Sequence, residues 1–157
     1  MEVFLIKGAQ LILSLSILVI LHELGHVLGF PTIWKDPLYD LLQDEGTSNP
    51  FFTGGGGSSL FTLVGGTLVN GLGVPIENSG GTGTRDSHWR EAVMGNELMT
   101  GFVSAGSKPL SAITIGSFQD IGYEVNLDAA DAYSLTLPGA LLNARRSPRC
   151  ARRTPAC

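Results

Sequence analysis

Three histidines occur in the 157-residue sequence, and two of them flank a glutamate in the run His22-Glu23-Leu24-Gly25-His26. Four residues advance a helix by about 400°, so the rings at i and i+4 project from nearly the same face, one turn apart. That arrangement suits zinc, which takes imidazole nitrogen at about 2.0–2.1 Å. Glu23 lies about 100° round the helix, close enough to address water beside the metal without being a ligand. Zinc in such a site lowers the pKa of water and polarises a carbonyl, and Glu23 would act as general base. The pentapeptide fixes only three positions, so by itself it leaves open that both histidines are ordinary surface or core residues. Against that reading, two histidines and a glutamate on an apolar helix are costly to bury without a partner. A catalytic zinc also needs three protein ligands, and His88 is the one further histidine.

A helix must present this pair. The preceding run carries no charge from Gly8 to Leu21. Its 14 residues are short of the roughly 20 that span a bilayer. Leu11, Ile12, Leu15, Ile17, Leu18, Ile20 and Leu21 cover every face, which favours a helix buried in a core over about 9–28. A signal or anchor segment and a true membrane span are the alternatives. Leu24, Val27 and Leu28 are assigned to the core. Gly29 offers a left-handed stop, and Pro31 forbids continuation.

The rest of the chain fits one domain. Residues 1–144 carry five Lys/Arg against fourteen Asp/Glu, a net of −9, which argues against nucleic acid as a partner. The two cysteines, Cys150 and Cys157, lie in the last eight residues and exclude a disulfide-stapled fold or a cysteine zinc ribbon. Residues 32–45 read as a turn with one or two helical turns. Residues 32–86 form an insertion, glycine-rich over 46–83, where two short strands are expected; a flexible linker is the alternative reading for Gly54–Ser59 alone. Residues 87–101 mix polar and apolar types densely. Leu110, Ile113, Phe118 and Ile121 predict a helix over about 111–121, ended by Gly122. Residues 123–137 read as a strand and a turn, and the Arg-rich residues 138–157 as a disordered tail. Trp89 reads as a packing residue, and Arg85 with Asp86 as a local ion pair of little worth if exposed.

The run from His22 to Phe30 resembles the start of the metzincin signature, His-Glu-x-x-His-x-x-Gly-x-x-His, but position 32 is Thr32 instead of the third histidine. Leishmanolysin-type metallopeptidases resemble this pattern with a long insertion before that histidine. Here His88 follows His26 by 62 positions, within Ser87-His88-Trp89-Arg90-Glu91. Asn96-Glu97-Leu98-Met99-Thr100-Gly101 is similar to that family's Met-turn, and residues 110–123 to its C-terminal helix. The resemblance covers about Leu21 to Tyr133. It implies an α+β fold: a truncated metzincin-like catalytic domain over 1–137 with a long zinc-binding helix, an insertion, a Met-turn and a C-terminal helix. It also implies one Zn2+ per chain held by His22, His26 and His88, with Glu23 as the catalytic base. Met99 would floor the site, and Gly29 would turn the chain sharply out of the zinc helix. The expected function is a zinc endopeptidase, extracellular or at the cell surface, acting on a peptide or protein substrate.

Only 21 residues precede His22, too few for the N-terminal lobe of such a domain, whose edge strand aligns substrate by strand addition. The expectation is a fragment, a misplaced start or a reduced scaffold, with an apolar helix surface prone to aggregation or to membrane association through residues 9–21. An inactive zinc-binding fragment or adhesion module is therefore a competing function. An intramembrane site-2-type protease is disfavoured, because no run after Phe30 approaches about 20 apolar residues. A gluzincin-like site would use Glu91 or Glu97 as third ligand. Asp86, Glu91, Asn96 and Asp120 are the candidates for orienting the histidines.

Overall fold

A computed structural model describes residues 16–103 and 106–135. Residues 9–15 of the expected helix and the whole 138–157 tail, with both cysteines, lie outside the described residues. Helix α1 occupies residues 16–27. A 3-10 turn, Thr32–Lys35, leads to strands β1 (Leu42–Gln43) and β2 (Phe51–Phe52), helix α2 (Gly55–Leu63) and strand β3 (Val74–Pro75). Helix α3 (Glu91–Met94), helix α4 (Ala112–Asp120) and a 3-10 turn at Leu127–Ala129 follow. The strands form an antiparallel sheet in the order β1-β2-β3, pairing Leu42 with Phe52 and Phe52 with Val74. The class is α+β.

Gly29 ends α1 as its position predicts. Its φ is +110°, and the Phe30 N–H returns to the Gly25 carbonyl at 3.1 Å while the Gly29 N–H returns to His26 at 3.0 Å. This pair of bonds is a Schellman closure, which satisfies carbonyls that the helix end would leave bare. The turn sends Phe30 into an aromatic cluster. Trp34 packs on Phe30 (centroids 4.4 Å), on Phe52 (4.3 Å) and on Trp89 (5.1 Å). All four rings are fully buried. Trp89 is thus a packing residue, and its indole N–H donates to Thr114 Oγ1 at 2.8 Å.

Three expectations are corrected. The helix carrying His22 is not buried on every face: Ile17, Ile20, Leu21, Leu24, Val27 and Leu28 are all exposed. The stripe of Leu18, His22, Gly25, His26 and Gly29 turns towards the other described residues. By length and composition, the stretch Ser16–Lys35 is apolar enough to cross a membrane. Second, Gly54–Ser59 is no linker but the start of α2. The Asp120 carboxylate at the end of α4 accepts from the Gly56 and Gly57 N–H groups at 2.7 and 2.9 Å, and so caps the helix from across the fold. Glycine is needed there for space: a Cβ on Gly116 would meet Leu60 Cδ1 at 2.6 Å and the Gly56 backbone at 3.1 Å. Third, residues 123–135 contain a 3-10 turn and no strand among the described residues. Asp131 accepts from Leu110 N–H through its side chain (2.9 Å), and its N–H donates to the Leu110 carbonyl (2.9 Å), so the segment is tied to a loop instead of a sheet.

Asp120→Ala should lower stability by about 0.5–2 kcal/mol, the usual cost of losing a helix cap. The expected readout is a lower urea midpoint with an unchanged slope.

Candidate metal centre

His22 and His26 come from adjacent turns of α1, and His88 comes from the loop ahead of α3. Their Nε2 atoms form a nearly equilateral triangle: His22–His26, His22–His88 and His26–His88 are each 3.1 Å apart. The long excursion after Phe30 therefore returns His88 to the pair. It is held there by a short ladder, in which Glu77 N–H donates to the His88 carbonyl (2.9 Å) and Trp89 N–H to the Met99 carbonyl (3.0 Å).

The Nδ1 atoms settle the chemistry of the triangle. His22 Nδ1 lies 2.8 Å from the Leu98 carbonyl, His26 Nδ1 2.6 Å from the Phe30 carbonyl and His88 Nδ1 3.0 Å from the Thr84 carbonyl. A carbonyl oxygen can only accept, so each Nδ1 carries the proton. In the neutral rings each Nε2 then presents a lone pair, and three lone pairs meet with no hydrogen between them. Burial favours the neutral form of His22 and His88. It pushes the His88 pKa down to about 4 and lowers that of His22, and the hydrogen bonds to Thr84 and Leu98 only partly oppose it. Three nitrogens bound to one ion at about 2.0–2.1 Å with tetrahedral angles stand about 3.3 Å apart. The observed spacing fits that requirement, and the donor set suits a borderline-soft divalent cation.

Among the described residues, His22, His26 and His88 are the one group of this kind. Glu91 and Glu97 are not drawn to the pair. Glu97 is fully buried and committed elsewhere: its Oε1 accepts from Ser111 Oγ (2.7 Å), Ser111 N–H (3.1 Å) and Thr114 Oγ1 (2.6 Å), its Oε2 from Met99 N–H (2.6 Å). Burial pushes its pKa up, and these hydrogen bonds pull the other way. Glu91 starts α3, its N–H held by Glu77 Oε2 at 2.9 Å. Glu23 is exposed and lines the same cavity as the three histidines, a space of about 350 Å³.

None of Asp86, Glu91, Asn96 and Asp120 orients a ring; backbone carbonyls do. A carbonyl has no sequence signature, so no pattern could have found Phe30, Thr84 and Leu98. Gly25 and Gly101 were also missed. A Cβ on Gly25 would meet Met99 Sδ at 2.7 Å and Cε at 2.8 Å, so the Met99 thioether lies flush against α1 between the two histidines. A Cβ on Gly101 would meet His88 Cγ and Nδ1 at 3.2 Å and Thr84 Cγ2 at 2.6 Å.

The family model described as leishmanolysin matches residues 6–137, most of the sequence. The chain belongs to the leishmanolysin family. It is 30% identical over 123 residues to the ciliated left-right organizer metallopeptidase of Xenopus laevis, covering 69% of this chain and 17% of that one. It is 28% identical over 123 residues to a leishmanolysin homolog of Crithidia fasciculata, covering 65% and 16%. The chain thus spans about a sixth of the length of these two relatives. No solved structure matches. Leishmanolysin-family peptidases are metal-dependent, and the histidine triangle is where this chain could bind a metal.

Gly25→Ala should cost about 1–3 kcal/mol through the Met99 clash. Adding Met99→Ala should cost less than in the parent chain, which a double-mutant cycle of unfolding free energies would read as coupling.

Proposed function

We propose that this chain carries the metal-binding and catalytic part of a zinc-dependent endopeptidase. Family membership supports the reaction class. The single observation that carries the site assignment is the triangle of Nε2 atoms at 3.1 Å, each ring fixed by a carbonyl on Nδ1. His22, His26 and His88 would hold one zinc ion. Zinc there supplies Lewis acidity, polarising a peptide carbonyl and acidifying water. Glu23 takes the proton from the attacking water on its carboxylate and delivers it to the leaving amine. Its exposure and its place in the wall of the histidine cavity support that role. Met99 floors the site without binding the ion: its sulfur packs on Gly25, and a side chain larger than hydrogen at that position would displace it. Gly29 acts earlier, because its left-handed turn brings the Phe30 carbonyl to His26.

The substrate is a peptide or protein, and the setting extracellular or at the cell surface, as expected for this family. The exposed apolar face of α1 is consistent with association with a membrane or with further protein. A zinc-binding but catalytically silent piece is the competing reading. It rests on the short coverage of the relatives, since a loss of about 1 Å in substrate placement costs some 10²-fold in rate.

Glu23→Gln should bind one equivalent of zinc, as the parent does, yet lose about 10²–10⁴-fold in hydrolysis of an unstructured protein such as casein. His88→Ala should lower zinc affinity steeply, as read by competition with a chelating dye. Unchanged affinity in His88→Ala would remove the tripod, and no turnover by the zinc-loaded parent would favour the silent reading.

A further inference from the structure

Lys108 stands in the wall of the histidine cavity, on the segment between the Met99 turn and α4. The same wall carries the apolar Leu18, Val19, Leu98, Phe102 and Val103, together with Glu23, Thr84 and the histidines. The ammonium is half-buried, and its charge reaches His22, where it disfavours the imidazolium. Its hydrogen bonds go to neutral oxygens, Thr100 Oγ1 at 3.2 Å and the Phe102 carbonyl at 2.5 Å. Three donors are available on an ammonium, so one is left without an acceptor among the described residues. The ion pairs among those residues are Lys35–Glu45 and Arg85–Asp86, and neither includes Lys108. The two nearby acids in its electrostatic surroundings, Glu91 and Glu97, do not reach it. Glu97 spends its carboxylate on Ser111, Thr114 and Met99.

We propose that Lys108 makes one end of this cavity a carboxylate-binding subsite, which selects peptides carrying an acidic group next to the bond to be cut. A partly desolvated cation whose hydrogen bonds go to neutral oxygens gains from a charge-assisted hydrogen bond to a carboxylate. The apolar residues of the same wall accommodate the methylenes that carry such a group. Two sources share that chemistry, a glutamate side chain and the free carboxy terminus of the peptide. The inference rests on the peptidase reading for its substrate class, but a binding measurement tests it separately.

The experiment uses the zinc-loaded chain and otherwise identical peptides with Glu or Gln at each of the two positions on either side of the cut, each with a free-acid or amidated end. The expected result is a preference of about tenfold or more for the carboxylate, seen in kcat/KM and carried by KM. Preference for Glu identifies the side chain, and preference for the free acid identifies the terminus; either supports the subsite. Lys108→Met should abolish the preference, bringing kcat/KM for the carboxylate peptide level with that for the neutral one, and Lys108→Arg should keep it, which separates charge from folding. The same peptides are titrated onto the Glu23→Gln chain to measure affinity at equilibrium. Should the parent cleave none of them, the peptidase reading fails, and a Lys108-dependent carboxylate preference in affinity would still uphold the subsite. Equal preference in the parent and in Lys108→Met overturns it, as does loss of preference in Lys108→Arg.

Discussion

Three hydrogen bonds from imidazole Nδ1 to backbone carbonyls set the character of this structure. Each fixes a ring plane and a tautomer together, and the three in concert aim lone pairs at one point. A side-chain carboxylate in the same place would add negative charge and rotational freedom. A carbonyl adds neither, because its direction is set by the chain around it. The centre is therefore only as good as the backbone that delivers Leu98, Phe30 and Thr84.

Each delivery has its own device. Phe30 is supplied by the Schellman closure at Gly29, which links the helix stop to the orientation of His26 within five residues. Thr84 lies one turn ahead of His88, in a loop anchored by Arg85 Nη2 on the Gly46 and Thr47 carbonyls at 2.7 Å each. Leu98 depends on Glu97. That buried carboxylate binds Met99 N–H on one oxygen and Ser111 and Thr114 on the other, so residues 97–99 are pinned to the start of α4. Trp89 joins the same network by donating to Thr114, and thereby connects the aromatic core to the segment under the histidines. A buried network of this kind is stabilising only when every member is satisfied, and here Glu97 has four donors.

The two faces of α1 divide its work. One face holds small residues and the histidines against Met99 and the His88 loop. The other carries exposed aliphatic side chains. The cavity beside α1 is lined by Leu98, Phe102, Val103 and Lys108 as well as by Glu23 and the histidines, and most of its wall is apolar. These features accord with membership of a peptidase family.

The three histidines of the triangle were legible in the sequence as candidate metal ligands, because their chemistry is local or countable. The spacing of His22 and His26 fixes them on one helix face, and a single further histidine leaves one partner for them. Gly29 was legible too, since only glycine takes φ of +110° without strain, and Ser111–Ile121 was legible from its apolar period. The glycine-rich α2 was not. Its own residues favour coil, and its helix exists because Asp120 caps it and α4 packs against Gly56. The exposure of Leu24, Val27 and Leu28 was equally invisible, since an apolar pattern states which residues could be buried but not whether anything lies against them. Sequence alone thus determined which groups could bind a cation. The tertiary structure decided which carbonyls aim them, because a backbone oxygen is the same in every residue and acquires a role only from where the chain places it.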